Sequence, residues 1–135
     1  MPTIAINPWA VAACVLVRFL IGGLWYSPLL FLRAWQAETG VDDAAMKPRM
    51  PGALGSDLLG AILMSIVLAL GVDFTRTDGA AGGAVVGVAA WVGFVAVTSI
   101  GRVTYEGGRW RLFLINGAYN LVTLVIMGAI LGQWG

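Results

Sequence analysis

The sequence contains no histidine and only one cysteine, Cys14, in 135 residues. Zinc and haem sites in proteins draw most of their ligands from these two residue types, so the chain cannot build a site of that kind. A single cysteine also excludes a disulfide bond within the chain. We therefore expect no bound metal and no cofactor.

Charge is also scarce. Charged residues make up 11% of the chain and hydrophobic residues 59%, with a mean hydropathy of +0.87. A soluble domain carries about 25% charged residues, and a disordered chain is more polar still. The net charge of +1 gives no basic field that could hold a nucleic-acid backbone. The composition therefore indicates a protein whose main partner is the lipid bilayer, with no nucleic-acid partner.

Four apolar runs are long enough to cross a bilayer, which needs about 20 helical residues. They cover residues 9–31, 53–72, 80–100 and 112–131. Inside lipid the backbone must satisfy its own hydrogen bonds, and uniformly apolar runs of this length do so as helices. The sequence thus predicts an all-α integral membrane protein with one domain over 1–135, four transmembrane helices and short connectors. The longest connector, 33–52, has room for a short interfacial helix.

Positive charge is distributed unevenly among the connectors. The connectors after the first and third spans carry six basic residues, whereas the opposite side of the membrane carries only Arg76. The six are Arg33, Lys47, Arg49, Arg102, Arg109 and Arg111. Connectors rich in Lys and Arg stay in the cytoplasm. Both termini are therefore predicted to face outward, which is an N-out, C-out topology.

Arg18 lies near the middle of the first span. An arginine at that depth costs about 2.5–3.5 kcal/mol on insertion scales unless it is paired or hydrated. At about 100° per residue, Arg18 shares a helix face with Cys14 and Gly22, and we expect that face to contact protein rather than lipid. Two interpretations are open: an anion-attracting or gating charge in a polar cavity, or a structural pin whose donors are satisfied by neighbouring helices.

The fourth span carries a polar stripe on an otherwise apolar helix. Its members, within about 100° of arc, are Asn116, Tyr119, Asn120 and Thr123. If this helix enters from the cytoplasmic side, Asn120 and Thr123 reach a depth comparable to that of Arg18. The pattern predicts a polar cluster of Arg18 with the stripe. The cluster would be either hydrogen-bonded glue between the first and fourth helices or a ligand or ion site.

Two acidic residues lie close to the spans. Asp57 follows Ser56 at the predicted start of the second helix, where a carboxylate complements the positive helix end. We favour this capping role over a role as the counter-ion of Arg18. Glu106 precedes a glycine pair and could form an ion pair with the neighbouring arginines at the membrane interface.

Glycines recur at intervals of four residues in the last two spans. They are Gly79, Gly83 and Gly87, just before and within the third span, and Gly128 and Gly132, within and just after the fourth. Small residues at this spacing let two helices approach closely. These faces are assigned either to packing within the chain or to a homo-oligomer interface.

Three stretches of sequence resemble a known family. They are GGLWYSPLLF at 22–31, WVGFVAVTSI at 91–100 followed by Tyr105-Glu106, and LFLINGAYNLVTLVIMGAILGQW at 112–134. They resemble the small four-helix bacterial membrane proteins catalogued as domain of unknown function 1761. The resemblance implies the four-helix architecture and a multi-pass location in the bacterial cytoplasmic (inner) membrane. It brings no established activity, so no residue role is carried over.

The sequence lacks a glycine-rich phosphate loop, a Ser/His/Asp set and a metal-ligand cluster, which makes an enzyme the least favoured class. Two classes remain. The favoured one is a self-associating channel- or transporter-like or ligand-binding protein with a polar core around Arg18. The alternative is a non-catalytic accessory or structural subunit of a membrane complex. The expected partner is a second copy of the chain or another membrane protein.

Overall fold

The computed structural model describes residues 6–107 and 109–134, and every regular element in these ranges is helical. A 3₁₀ turn, Lys47–Arg49, leads from α3 into α4, and a π-helical stretch, Trp91–Ala96, joins α5 to α6. The α-helices are α1 (Pro8–Trp25), α2 (Leu32–Thr39), α3 (Asp43–Met46), α4 (Met50–Phe74), α5 (Gly79–Ala90), α6 (Val97–Glu106) and α7 (Trp110–Trp134).

Four continuous helical segments are long and apolar enough to cross a membrane. They are Pro8–Trp25, Asp43–Phe74, Gly79–Glu106 and Trp110–Trp134. This confirms the predicted all-α fold with four spans. The long connector contains two short helices, α2 and α3, where one interfacial helix was predicted.

The first helix is shorter than the apolar run that contains it. α1 ends at Trp25, although the run continues to residue 31. Pro28 has no backbone N–H to donate and its ring crowds the preceding turn of a helix. The Ser27 hydroxyl instead donates to the Leu24 carbonyl oxygen at 2.7 Å, which supports the turn out of α1. The chain then re-enters a helix at α2, whose first residue, Leu32, is buried.

The second spanning helix begins earlier than the apolar run. α4 starts at Met50 with Pro51 in its first turn, a position that suits the fixed φ angle of proline. Asp57 therefore lies inside the helix with an exposed side chain, and the prediction that it caps this helix is wrong. The acidic cap in this region is Asp42, whose side chain accepts a hydrogen bond from the Ala45 amide at the start of α3 (2.8 Å).

α5 and α7 pack against each other as antiparallel helices through glycine. A Cβ atom on Gly83 would overlap the Gly128 carbonyl oxygen, and a Cβ atom on Gly128 would overlap the Gly83 carbonyl oxygen. The same close approach pairs Gly132 with the carbonyl oxygen of Gly79, and Gly87 with that of Leu124. The five glycines of the two predicted stripes therefore lie in one interface within the chain.

α1 and α4 complete the bundle, but α4 packs only through its second half. The buried residues of α4 begin at Ala61 and continue through Val72, whereas residues 50–60 are all exposed. The main core contains Cys14 from α1, Leu68 from α4 and Met127 from α7. The spanning helix with the most buried residues is α7, whereas the first half of α4 is left uncovered.

Hydrogen bonds at the two ends of α7 show which ends of the helices lie on the same side of the molecule. At one end the Asn7 side-chain amide donates to the Trp134 carbonyl oxygen at 3.5 Å. At the other end Arg109 donates to the Glu38 carbonyl oxygen at 2.7 Å. The first and last described helices therefore begin and end on the same side of the molecule. That this side faces outward remains a prediction.

Candidate functional site

Arg18 on α1 is bonded directly to α7. Its Nη1 donates to the Thr123 hydroxyl oxygen at 2.8 Å, and its Nη2 donates to Asn120 Oδ1 at 3.1 Å. The Thr123 side chain is fully buried, and its hydroxyl in turn donates to the Tyr119 carbonyl oxygen at 3.0 Å. Both oxygen atoms that accept hydrogen bonds from Arg18 belong to the polar stripe predicted from the sequence.

Tyr119 holds Arg18 in a second way. The guanidinium carbon lies 4.8 Å from the centre of the Tyr119 ring, a cation–π distance. The Tyr119 hydroxyl donates to the Arg18 carbonyl oxygen at 3.2 Å. Gly22 makes room for this contact, since a Cβ atom there would lie 2.9 Å from the Tyr119 hydroxyl oxygen. The charge of Arg18 is therefore solvated by protein groups from one face of α7.

Asn116 extends the cluster toward the start of α7. Its Oδ1 accepts a hydrogen bond from the Tyr26 hydroxyl at 2.6 Å. The Tyr26 and Tyr119 rings meet edge to face with their centres 5.3 Å apart. We call Arg18, Asn116, Tyr119, Asn120 and Thr123 the polar core.

The two asparagines of the polar core have fixed amide orientations. Arginine carries only donors, so the atom of Asn120 that faces Arg18 must be its oxygen. The oxygen of Asn116 is likewise occupied by the Tyr26 hydroxyl. Within residues 6–107 and 109–134, no buried side-chain nitrogen or oxygen lacks a partner. The Nδ2 groups, which donate to no protein acceptor in those ranges, therefore reach space that protein does not fill.

That space is a cleft of about 440 Å³ between α6 and α7, which we call the α6–α7 cleft. Each helix contributes residues spaced i, i+3, i+4 and i+7, which is one helix face. The lining consists of Ser99, Arg102, Val103 and Glu106 from α6, Phe113, Asn116, Gly117 and Asn120 from α7, and Arg109 and Leu112 near the turn between them.

The cleft connects the polar core with charged residues near the ends of α6 and α7. Arg102 and Glu106 lie one helical turn apart on α6, and Arg109 stands opposite them just before α7. Arg102, Glu106 and Arg109 are all exposed. Asn120 lines the inner part of the cleft and accepts the hydrogen bond from Arg18. A polar path therefore runs from the end of the bundle to the side chain that holds Arg18.

The structure brings neither of the suggested acidic partners to Arg18. In the described part of the chain the ion pairs are Arg33–Asp43 at 3.4 Å and Arg111–Glu38 at 3.9 Å. Asp57 is exposed on the uncovered half of α4, and Glu106 lines the cleft. Arg18 is thus hydrogen-bonded by neutral groups, and no ion pair in the described ranges joins it to a carboxylate.

Trp91 supports the cleft from the π-helical stretch. Its indole nitrogen donates to the Gly117 carbonyl oxygen at 2.8 Å, and Gly117 is part of the cleft lining. Short π-helical stretches are frequent at functional sites. No site role is predicted from the sequence alone for Trp91, Ser99 or Arg102. The i, i+3, i+4, i+7 spacing of residues 99–106 was the available signal.

The chemistry of the cleft is that of hydrogen-bond donation. Its lining includes two asparagines and two arginines, with Glu106 as the one carboxylate. Among the described residues, no group of three or more His, Cys, Asp or Glu side chains could hold a metal ion. The arrangement suits an acceptor-rich or anionic ligand.

Comparisons with known proteins place the chain in a family. No curated protein and no solved structure matches it. A family model described as "Protein of unknown function (DUF1761)" matches residues 9–132. This match includes the polar core, the α6–α7 cleft and nearly all of the four spanning helices. The chain therefore belongs to the DUF1761 family of proteins of unknown function.

Proposed function

We propose that this protein is a membrane-embedded ligand-binding protein of the channel- or transporter-like kind, with the α6–α7 cleft as the entry to its polar core. One observation carries the proposal. Asn120 belongs to both features, because it lines the cleft and accepts a hydrogen bond from Arg18. A ligand that reached Asn120 would therefore contact the side chain that holds the charge of Arg18.

The cost of Arg18 supports the same proposal. A charged residue within a membrane helix is expensive, and such residues generally mark ligand pathways or relays. A structural role alone could be filled by a neutral hydrogen-bonding side chain at less cost. Arg18 instead keeps a positive charge bonded to Asn120, which lines a cleft that also contains two arginines.

Self-association and location are part of the proposal. The glycine stripes pack within the chain, so a second copy would use a surface that the chain leaves uncovered, such as residues 50–60 of α4. We place the protein in the bacterial cytoplasmic membrane with both termini outward. In this orientation the cleft opens to the cytoplasm, because Arg102 and Arg109 lie on the positively charged side.

The alternative is an accessory or structural subunit of a membrane complex. One observation favours it: Arg18 has hydrogen bonds to Thr123 and Asn120 and a ring contact with Tyr119. A guanidinium held in this way can pin α1 to α7 with no ligand.

Water access to the cleft distinguishes the two functions. In a Cys14→Ala background, Ser99→Cys and Asn116→Cys place thiols in the cleft. Val97→Cys is the matched control, because Val97 lies on the same helix, is 62% exposed and is absent from the cleft lining. A membrane-impermeant thiol reagent should modify the two cleft thiols and leave the lipid-facing one unmodified.

The side from which the reagent acts is controlled with inverted and right-side-out vesicles. Asp43→Cys, in the exposed connector, serves as the positive control for reagent access. If Asp43→Cys reacts while Ser99→Cys and Asn116→Cys stay unmodified from either side, the cleft is closed to water. The proposed ligand-binding function would then be wrong, and the structural alternative would stand.

A further inference from the structure

We propose that the α6–α7 cleft binds a phosphate group, supplied either by an anionic lipid headgroup or by a soluble phosphate. This inference rests on the proposed function and adds the chemical class of the ligand. It follows from three features of the cleft: the direction of its donors, its electrostatics and its place along the helices.

The first feature is the set of hydrogen-bond donors in the cleft. Asn116 and Asn120 line the cleft, and their Nδ2 groups donate to no protein acceptor among the described residues, whereas their oxygens accept from Tyr26 and Arg18. Amides fixed in this way favour an acceptor and disfavour a donor such as an ammonium group. A ligand in this part of the cleft therefore has to bring oxygen atoms with lone pairs.

The two arginines add charge to these donors. Arg109 uses one Nη1 hydrogen on the Glu38 carbonyl oxygen, and the remaining donors of its planar guanidinium can still face the cleft. Arg102 lines the facing wall from α6. Four donor groups, from α6, from α7 and from the residue before α7, line one space, which suits the several oxygens of a tetrahedral phosphate. Charge-assisted bonds between guanidinium and phosphate are among the strongest that side chains form.

The electrostatic balance also calls for an anion. The cleft lining carries two arginines against one carboxylate, Glu106. Arg18 adds a further positive charge behind Asn120, with no ion pair to a carboxylate in the described ranges. The net positive charge of the cleft favours the entry of an anion. Glu106 opposes that anion, and its removal should strengthen binding.

The position of the cleft fits the level of lipid phosphates. Arg102 and Arg109 lie near the ends of α6 and α7, beside the exposed aromatic residues Tyr105 and Trp110. Tyr and Trp are enriched where a membrane helix reaches the headgroup layer. A phosphate could therefore enter from the adjacent leaflet or from the aqueous side, and the experiment must separate these sources.

Native mass spectrometry of the delipidated full-length protein can make this separation. The probes are phosphatidylglycerol, phosphatidylcholine as the zwitterionic control, and inorganic phosphate. Wild-type protein should bind phosphatidylglycerol, inorganic phosphate or both, in preference to phosphatidylcholine. Adducts with phosphatidylglycerol alone identify a lipid headgroup site, whereas competition by inorganic phosphate identifies a site open to soluble phosphate.

Matched charge variants assign the binding to the cleft. Arg102→Gln/Arg109→Gln should weaken the apparent affinity by at least about tenfold. Lys47→Gln/Arg49→Gln removes the same charge from the same end of the bundle outside the cleft, and should leave the affinity within about twofold. Glu106→Gln should raise the affinity. An increase cannot arise from misfolding, so this variant decides the question if the double arginine variant fails to fold.

Three results would overturn the inference. The first is an equal loss in the two double variants, which would mean general attraction to the charged surface. The second is no gain with Glu106→Gln. The third is no binding of phosphatidylglycerol or inorganic phosphate although Ser99→Cys is labelled, in which case the ligand-binding function survives with another ligand class. Loss of both phosphate binding and Ser99→Cys labelling would remove the proposed function as well.

Discussion

Tyr119 contacts Arg18 at two places at once: its ring lies 4.8 Å from the guanidinium carbon, and its hydroxyl donates to the Arg18 carbonyl oxygen at 3.2 Å. One side chain of α7 thus fixes both the backbone and the charged end of one residue of α1. This double contact sets the register of the two helices. It depends on Gly22, because a Cβ atom at this position would lie 2.9 Å from the Tyr119 hydroxyl oxygen.

The two adjacent glycines of α1 provide a matched test of this register. Gly22→Ala should destabilise the protein by about 1 kcal/mol or more, because the new methyl group pushes against the Tyr119 hydroxyl and breaks its hydrogen bond. Gly23→Ala meets no atom within 4 Å and should stabilise the helix by up to about 1 kcal/mol. Thermal unfolding in detergent measures both. Equal changes in Tm would contradict the proposed role of Tyr119.

The glycine contact between α5 and α7 should be far less tolerant. Gly83→Ala places a methyl group on the Gly128 carbonyl oxygen, and backbone atoms cannot move aside as a side chain can. We expect a loss of about 3 kcal/mol or failure to fold. Gly60→Ala, on the uncovered half of α4, meets no atom within 4 Å and should be neutral or slightly stabilising. Comparable losses at both positions would show that α5 and α7 do not pack through these glycines.

Much of the fold was predictable because the signals are local. Length and hydropathy identify the four spans, since each helix must satisfy its own backbone in lipid. Helical spacing and depth also placed Arg18 near Asn120 and Thr123, because a charge near mid-membrane has few polar side chains to meet. The failed capping role of Asp57 has a local cause as well. The apolar run begins at residue 53, whereas the helix begins at Met50 with Pro51 in its first turn.

The α6–α7 cleft was not predictable in the same way. Its walls depend on the angle at which α6 leaves the π-helical stretch Trp91–Ala96 and on how it faces α7, which are properties of tertiary packing. Arg102 and Arg109 also belong to the basic residues that predict the orientation in the membrane. Nothing in the local sequence distinguishes that role from a place in the lining of the cleft. The sequence did not show what packs against the glycine stripes, because the same spacing serves packing within a chain and between chains.

The hydroxyl of Tyr26 should matter for both stability and binding. Tyr26→Phe removes the 2.6 Å hydrogen bond to Asn116 Oδ1, at a cost of about 1 kcal/mol. It also frees the Asn116 amide to turn its oxygen toward the cleft, so the affinity for a phosphate probe should fall. Tyr105→Phe is the control, because Tyr105 is 95% exposed. If the two variants unfold and bind alike, the Tyr26 hydrogen bond does not orient Asn116.

The orientation of the chain in the membrane follows from the distribution of positive charge. Asp43, the first residue of α3, and Asp78, in the connector after α4, are exposed and lie at opposite ends of the bundle. In a Cys14→Ala background, an impermeant reagent added outside intact cells should label Asp78→Cys. Asp43→Cys should be labelled only after the cells are opened. The reverse pattern would invert the N-out, C-out assignment. Thr3 and Gly108, which would test the same point, lie outside the described residues.

Direct bonding of Arg18 to α7 joins the mid-membrane charge to the cleft, because Asn120 takes part in both. A double-mutant cycle measures it from the thermal stability of wild-type protein, Arg18→Leu, Asn120→Leu and the double variant. Each single change leaves a half-buried partner without its hydrogen bond and should cost about 1–3 kcal/mol. Arg18→Lys should restore only part of the loss, because an ammonium group lacks the planar fork that reaches both Thr123 and Asn120.

The decisive quantity is the coupling free energy of that cycle. The double variant should lose less stability than the two single variants added together, with a coupling free energy of about 0.5–3 kcal/mol. Strictly additive losses would mean that Arg18 and Asn120 do not interact. The polar core would then not connect to the α6–α7 cleft through Asn120.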